Sequence, residues 1–216
     1  MKGRWRHHLS RSGMWLSRTV KKAWRLYLRQ GKSDNSLSMH TINQKQQNRD
    51  DHLLGESRFF LDISIKTQTL SIIENGRTLQ TYPVATAKNG PGEQRGSECT
   101  PRGWHVIRAK IGAGRPLQSV FIGRRVTGEL YSAELGKEYP LRDWILTRIL
   151  WLGGLEPGKN RYGNVDTAWR YIYIHGCPDE LMQGKPDSHG CIRMRNADVL
   201  ELFDRVAAGV KVYIHE

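Results

Sequence analysis

Residues able to do chemistry gather near the C-terminus. Ser188-His189-Gly190-Cys191-Ile192-Arg193-Met194 sets a cysteine between a histidine-glycine pair and a basic residue, and a second histidine, His175, stands sixteen positions upstream at the end of Tyr171-Ile172-Tyr173-Ile174. A thiol with a histidine in reach reads as a nucleophile with its base. The alternatives are a packed cysteine or a metal site. A free thiol with an ordinary pKa of about 8.5 is only a few per cent thiolate at neutral pH. A neighbouring imidazole, a strand end and backbone N–H groups are the means of lowering that value. Gly190 would let backbone approach a substrate carbonyl closely. Consecutive N–H groups at His189-Gly190-Cys191 would form an oxyanion hole. His175 would then serve as general base, its ring oriented by an acceptor that a backbone carbonyl can supply. As a metal site, the two His-x-Cys pairs (His175/Cys177 and His189/Cys191) offer four ligands, although structural zinc more often uses C-x2-4-C or H-x3-5-H spacing.

The elements that must position these groups begin well into the chain. Residues 1–30 carry nine basic side chains and no acid, so of the net charge of +13 only about +4 remains for residues 31–216. Leu16, Val20, Ala23, Trp24 and Tyr27 fall at helical spacing opposite Arg18, Lys21, Lys22, Arg25 and Arg29, a pattern for contact with a membrane surface or for a basic tail. The body offers no basic excess, which argues against nucleic acid as a partner. Residues 31–57 are polar and rich in Asn, Gln, Ser and Asp, the composition of a linker. Residues 1–57 therefore read as an arm and linker, and residues 58–216 as one folded domain. No apolar run is long enough to span a membrane as a helix, and the N-terminus lacks the apolar core of a secretory signal. Three cysteines do not make a disulfide framework.

From residue 58 the hydrophobic period is two. Phe59–Ile65 and Thr69–Ile73 alternate as half-buried strands, Asn75-Gly76 marks a tight hairpin, and Thr78–Ala85 returns. Residues 88–100 read as a glycine-rich loop, and Gly103–Ile107 as a strand entered from Thr100-Pro101. Ser119–Ile122 and Gly128–Ser132 read as short strands, and Trp144–Leu152 as a longer buried one closed by Gly153-Gly154. Residues 153–167 form a long loop, of a length often functional and frequently a lid. Trp169–Ile174 would deliver His175. Trp144, Trp151 and Trp169 read most simply as core and His105 as a packed or surface histidine. Asn196 would cap a helix over 197–208, Gly209 would close it, and Val210–Ile214 would be a last strand. The fold class is mainly β: a mixed, mostly antiparallel sandwich or barrel with a C-terminal helix packed beside it.

The run S-H-G-C-I-R-M, preceded by His175-Gly176 at a strand end, resembles the catalytic signature of the L,D-transpeptidases (YkuD-type domain). The resemblance extends over residues 58–216 and takes in the Asn75-Gly76 hairpin, Tyr82-Pro83-Val84-Ala85-Thr86 and Thr100-Pro101-Arg102-Gly103-Trp104. It implies Cys191 as nucleophile, His175 as proton acceptor and donor, and the Gly176 carbonyl as its orienter. Ser188, His189 and Gly190 would shape the catalytic loop and oxyanion site, with Arg193 supporting that loop or holding a substrate carboxylate. The implied reaction joins peptidoglycan stem peptides as donor and acceptor. A tetrapeptide stem acylates the thiol with loss of its terminal D-alanine, and an amine resolves the thioester to a 3-3 cross-link. No metal or organic cofactor is implied, and the implied location is the cell envelope or periplasm. Water as acceptor would make the site a carboxypeptidase. The other readings are a thiol acyl hydrolase, cytosolic in the absence of an export signal, and a non-catalytic wall-binding module. The family usually has threonine or a similar residue two after the histidine. Cys177 replaces it here, and would either stand in for that hydroxyl or pair with Cys191 under oxidising conditions.

Overall fold

A computed structural model of the chain describes residues 59–216. The basic arm and the polar stretch before Phe59, and with them the expected membrane-surface contact, lie outside the described residues. Ten strands form one sheet in the order β3-β2-β1-β10-β4-β7-β5-β6, with β8 on the other edge of β7 and β9 beyond it. The strands are β1 (Phe59–Ser64), β2 (Thr69–Glu74), β3 (Arg77–Pro83), β4 (Gly103–Ile111), β5 (Ser119–Ile122), β6 (Arg125–Leu130), β7 (Ile145–Gly154), β8 (Tyr173–Gly176), β9 (Ile192–Met194) and β10 (Lys211–His215). Pairing is antiparallel except between β1 and β10 and between β8 and β9.

The first hairpins follow directly from local chemistry. Asn75 and Gly76 both take positive φ, 52° and 75°, as a two-residue turn matched to strand twist requires. Alternation then buries Leu61 and Ile63 of β1 and Leu70 and Ile72 of β2. These meet Ile174, Ile192 and Met194 from β8 and β9 and Val199, Leu202 and Phe203 from the C-terminal helix in one cluster. The sheet thus curls around a core that the helix closes, which fulfils the expectation of a mainly β, mostly antiparallel fold with a C-terminal helix.

β7 is the shared strand. It is buried on both faces for nearly its whole length, and it runs on through Gly153 and Gly154 rather than ending before them. A bulge at Thr147-Arg148, with Thr147 at φ 65°, shifts the register between Leu146 and Ile149. An extra residue bends a strand and re-aims its neighbours. Here the bulge lies opposite the His175-Gly176 junction, since Leu146 faces Gly176 and Ile149 faces His175.

Some local expectations are corrected. Residues 169–171 form a turn, β8 starts at Tyr173, and Trp169 is exposed instead of core. The helix preceding β7, α1 (Ala133–Glu138), has no apolar stripe of its own and was not expected. The C-terminal helix, α2, spans Asn196–Arg205, starting one residue earlier and ending three residues earlier than its hydrophobic spacing implied. Asn196 is its first residue and not its cap. The loop expected over 153–167 is fastened down: buried Asn160 donates to the Arg102 and Trp104 carbonyls, and the Thr167 hydroxyl donates to the Asn160 carbonyl. The loop is thus anchored at Asn160 and Thr167, while residues 157–159 and 161–164 are exposed.

Candidate active site

β8 and β9 run parallel with His175 beside Arg193, so the side chains of Tyr173, His175, Cys191 and Arg193 share one face. They line a cleft of about 460 Å3 together with Ser188 and His189. His175 is 1% exposed. Its Nδ1 lies 2.8 Å from the Gly176 carbonyl. A carbonyl only accepts, so Nδ1 carries the hydrogen and Nε2 keeps its lone pair. That Nε2 is buried without a hydrogen-bond partner. Gly176 is required by crowding: a Cβ there would stand 2.7 Å from the Leu146 carbonyl oxygen and 2.7 Å from Asn196 Oδ1.

The Cys191 thiol is half-buried beside the backbone that enters β8. Its Sγ accepts from the Tyr173 amide at 3.4 Å and donates to the Tyr171 carbonyl at 3.5 Å. Tyr171 adopts a left-handed conformation, φ 57°, which aims that carbonyl at the sulfur. Burial pushes the thiol up to about 12; Asp143 adds to the rise, while the Tyr173 amide and the charges of Arg193 and Arg170 oppose it. Burial also holds His175 below its usual range, against the Gly176 hydrogen bond. The resting pair is therefore neutral, the opposite of the lowered thiol pKa expected from a nearby imidazole, because desolvation outweighs every favourable neighbour.

The loop before Cys191 is built by hydroxyls. Ser188 Oγ donates to the Cys191 carbonyl at 2.6 Å and accepts the Gly190 amide at 3.2 Å. Thr100 Oγ1 donates to the Gly190 carbonyl at 3.0 Å and accepts the Ala87 amide at 3.0 Å. The Gly190 amide is thus occupied, which takes it out of the expected oxyanion trio. The Cys191 amide has no backbone acceptor among the described residues. Gly190 has φ +126°, and a Cβ would come within 3.0 Å of Ile172 and 3.3 Å of the Cys99 carbonyl. His189 is exposed at the cleft rim.

The Arg193 guanidinium, 6% exposed, pairs with Asp143 at 2.7 Å and with Asp187 at 3.2 Å. Nη1 is committed to Asp187 in the loop and Nη2 to Asp143 before β7, while Nε is buried without a partner, so of the two roles expected for Arg193 the geometry favours loop support over holding a substrate carboxylate. Arg170, not singled out in the sequence, donates to the Gly92 and Cys99 carbonyls and ties the glycine-rich loop to the cleft. Arg170 sits within the apolar run before His175, and Thr100 within Thr-Pro. Nothing in the sequence distinguished Asp143 or Asp187 from other surface acids.

Cys177 lies elsewhere. It is 1% exposed, with Sγ against the Pro178 and Met194 carbonyls. Register puts it four residues along β8 from the position opposite Cys191, roughly 13 Å at strand rise. A disulfide needs Cα atoms within about 7 Å, so the two cannot pair without rebuilding the sheet. Both thiols are free. Among the described residues no group of three or more His, Cys, Asp or Glu side chains converges as a metal site.

A model of the YkuD family, the L,D-transpeptidase catalytic domain, matches residues 58–214. The chain belongs to this family. The protein YkuD of Bacillus subtilis (strain 168), provisionally named an L,D-transpeptidase, is 26% identical over 158 residues, covering 73% of this chain and 66% of its own. YqjB of the same organism, named in the same provisional way, is 26% identical over 155 residues, 72% of this chain and 70% of its own. This chain thus spans a little under two thirds of YkuD. An L,D-transpeptidase from Mycobacterium smegmatis aligns at TM-score 0.45 with 17% identity, covering 74% of this chain and 59% of that one. LdtMt1, solved in complex with imipenem, aligns at TM-score 0.45 with 21% identity, covering 73% and 59%. The assignment to the YkuD family rests on the family model.

Proposed function

We propose that this YkuD-family protein is a cysteine acyltransferase that cross-links peptidoglycan stem peptides in the cell envelope. The observation that carries this reading is the unpartnered Nε2 of His175, buried in the same cleft as the Cys191 thiol while Nδ1 is fixed by the Gly176 carbonyl. A ring held in that tautomer is a proton acceptor by construction.

In this mechanism the donor stem lies in the cleft with the carbonyl of its third residue over Sγ. The Cys191 proton passes to His175 Nε2 as sulfur attacks, and the Cys191 amide stabilises the oxyanion. Collapse breaks the amide bond, and His175 returns the proton to the departing D-alanine amine. The thioester is then attacked by an acceptor amine whose proton is again taken by His175, and the thiol is released with it. Ser188, Thr100 and Gly190 support the reaction by holding the loop in shape. Water in place of the amine would give carboxypeptidase activity from the same intermediate.

Intact-mass analysis after exposure to a carbapenem, together with D-alanine release from tetrapeptide stems, tests the reading. Wild-type protein should gain one adduct and release D-alanine, and Cys191→Ala should do neither. Normal turnover by Cys191→Ala would sink the assignment.

A further inference from the structure

Three arginines line the cleft, and they are not equivalent. Arg193 is neutralised by Asp143 and Asp187. Arg170 is consumed by main-chain carbonyls and the Ser97 hydroxyl. Arg124 differs from both. It sits at the tip of the β5–β6 hairpin in a left-handed conformation, φ 65°, half-buried. Its guanidinium lies 4.5 Å from the Trp151 ring centroid and 5.0 Å from that of Tyr171. Nη1 donates to the Tyr173 hydroxyl at 2.9 Å. Among the described residues no carboxylate pairs with it.

That arrangement fixes a planar, always-charged fork in the same cleft as the thiol and leaves most of its five N–H donors unspent. Tyr171 and Tyr173, which position it, are also the residues whose carbonyl and amide bracket Cys191 Sγ. A rigid, uncompensated guanidinium in a cleft is built to meet a carboxylate in two-pronged fashion. A tetrapeptide stem carries several carboxylates.

We propose that Arg124 is a specificity residue that grips a carboxylate of the donor stem, the role that Arg193 has no free nitrogen pair to fill. The inference rests on the transpeptidase reading and deepens it. The experiment compares kcat/KM for D-alanine or D-alaninamide release from a tetrapeptide stem with every carboxylate free and from three versions, each amidated at one carboxylate: that of glutamate, that of the diamino-acid side chain, or the terminal one. Wild-type protein should lose about 10- to 100-fold on one of the amidated donors, as expected for a charge-assisted contact. Arg124→Ala should turn over that donor and the free acid equally, and Arg124→Lys, which keeps charge without the fork, should discriminate weakly. Because each comparison is a ratio within one variant, a general loss of activity does not mimic it, and Arg124→Lys carries the test if Arg124→Ala fails to fold. Undiminished discrimination by the variants, or equal turnover of all donors by wild type, would overturn the proposal while leaving the transpeptidase reading intact. Failure of wild-type protein to turn over any donor, with Cys191 still alkylated by iodoacetamide, would overturn the reading itself and this proposal with it.

Discussion

The thiol and imidazole in this cleft are both held neutral by burial, and that shapes the pH response expected of the proposed reaction. In the proposed mechanism His175 must be unprotonated to accept the Cys191 proton, and its pKa lies below the ordinary 6.5. Thiol ionisation, pushed up to about 12, contributes nothing in the neutral range. Acylation by a stem peptide should therefore be flat around neutrality and fall only on an acidic limb below pH 6.5. A rate that instead climbs tenfold per unit through pH 7–9 would mean attack by a pre-formed thiolate. Gly190 is the second residue with a sharp consequence. Gly190→Ala would strain a φ of +126° and press on the Ile172 side chain and the Cys99 carbonyl. It should cost about 1–3 kcal/mol in thermal or denaturant unfolding and depress acylation by more than that loss explains, since the displaced backbone carries the proposed nucleophile.

At the scale of elements, the β7 bulge, the start of α2 and the His175-Gly176 strand end form one unit joined by Asn196. Its Oδ1 accepts from the Thr147 hydroxyl, and its Nδ2 donates to the Cys177 carbonyl at 2.8 Å and to Asp179 at 3.1 Å. Asp179 also accepts the Asn196 amide at 3.0 Å, so the helix is capped from a neighbouring turn instead of by its preceding residue, Arg195, which makes no side-chain cap. Asp179→Ala removes that acceptor and should cost about 1–2 kcal/mol in denaturant unfolding. Cys177→Ser, whose side chain faces the Pro178 and Met194 carbonyls and does not line the cleft, should by comparison leave Cys191 alkylation by iodoacetamide unaltered.

For the whole molecule, the clearest electrostatic signature lies outside the active site. His105 on β4 is fully buried, with Nδ1 2.9 Å from the Gly103 carbonyl and Nε2 3.1 Å from the Thr167 hydroxyl, so it joins the fastened loop to the sheet. Burial lowers its pKa from 6.5 to about 4, against the Gly103 hydrogen bond. Between those values the unfolded chain binds a proton that the folded one refuses. Stability is therefore full above 6.5 and falls as pH drops toward 4, by about 3 kcal/mol from this group, with buried His175 acting in the same direction. Urea midpoints measured from pH 7 to pH 4 should show the decline, and His105→Gln should flatten it.

The sequence by itself determined the family resemblance, the candidate reacting residues and the strands that lead to them. Ser188–Met194 and His175-Gly176 named the candidate nucleophile, base and orienter, and period-two alternation with Asn75-Gly76 laid out the hairpins, because these signals are local. Tertiary structure decided everything that depends on which segments press together. Desolvation raised the Cys191 pKa that neighbouring groups alone would lower. Asp143 and Asp187 claimed Arg193, and Arg124, indistinguishable from other basic residues along the chain, was brought to the cleft by a hairpin. The cap of α2 came from Asp179, seventeen residues upstream of Asn196. Burial, ion pairing and capping across long separations have no period or motif, so they become legible only when the chain has folded.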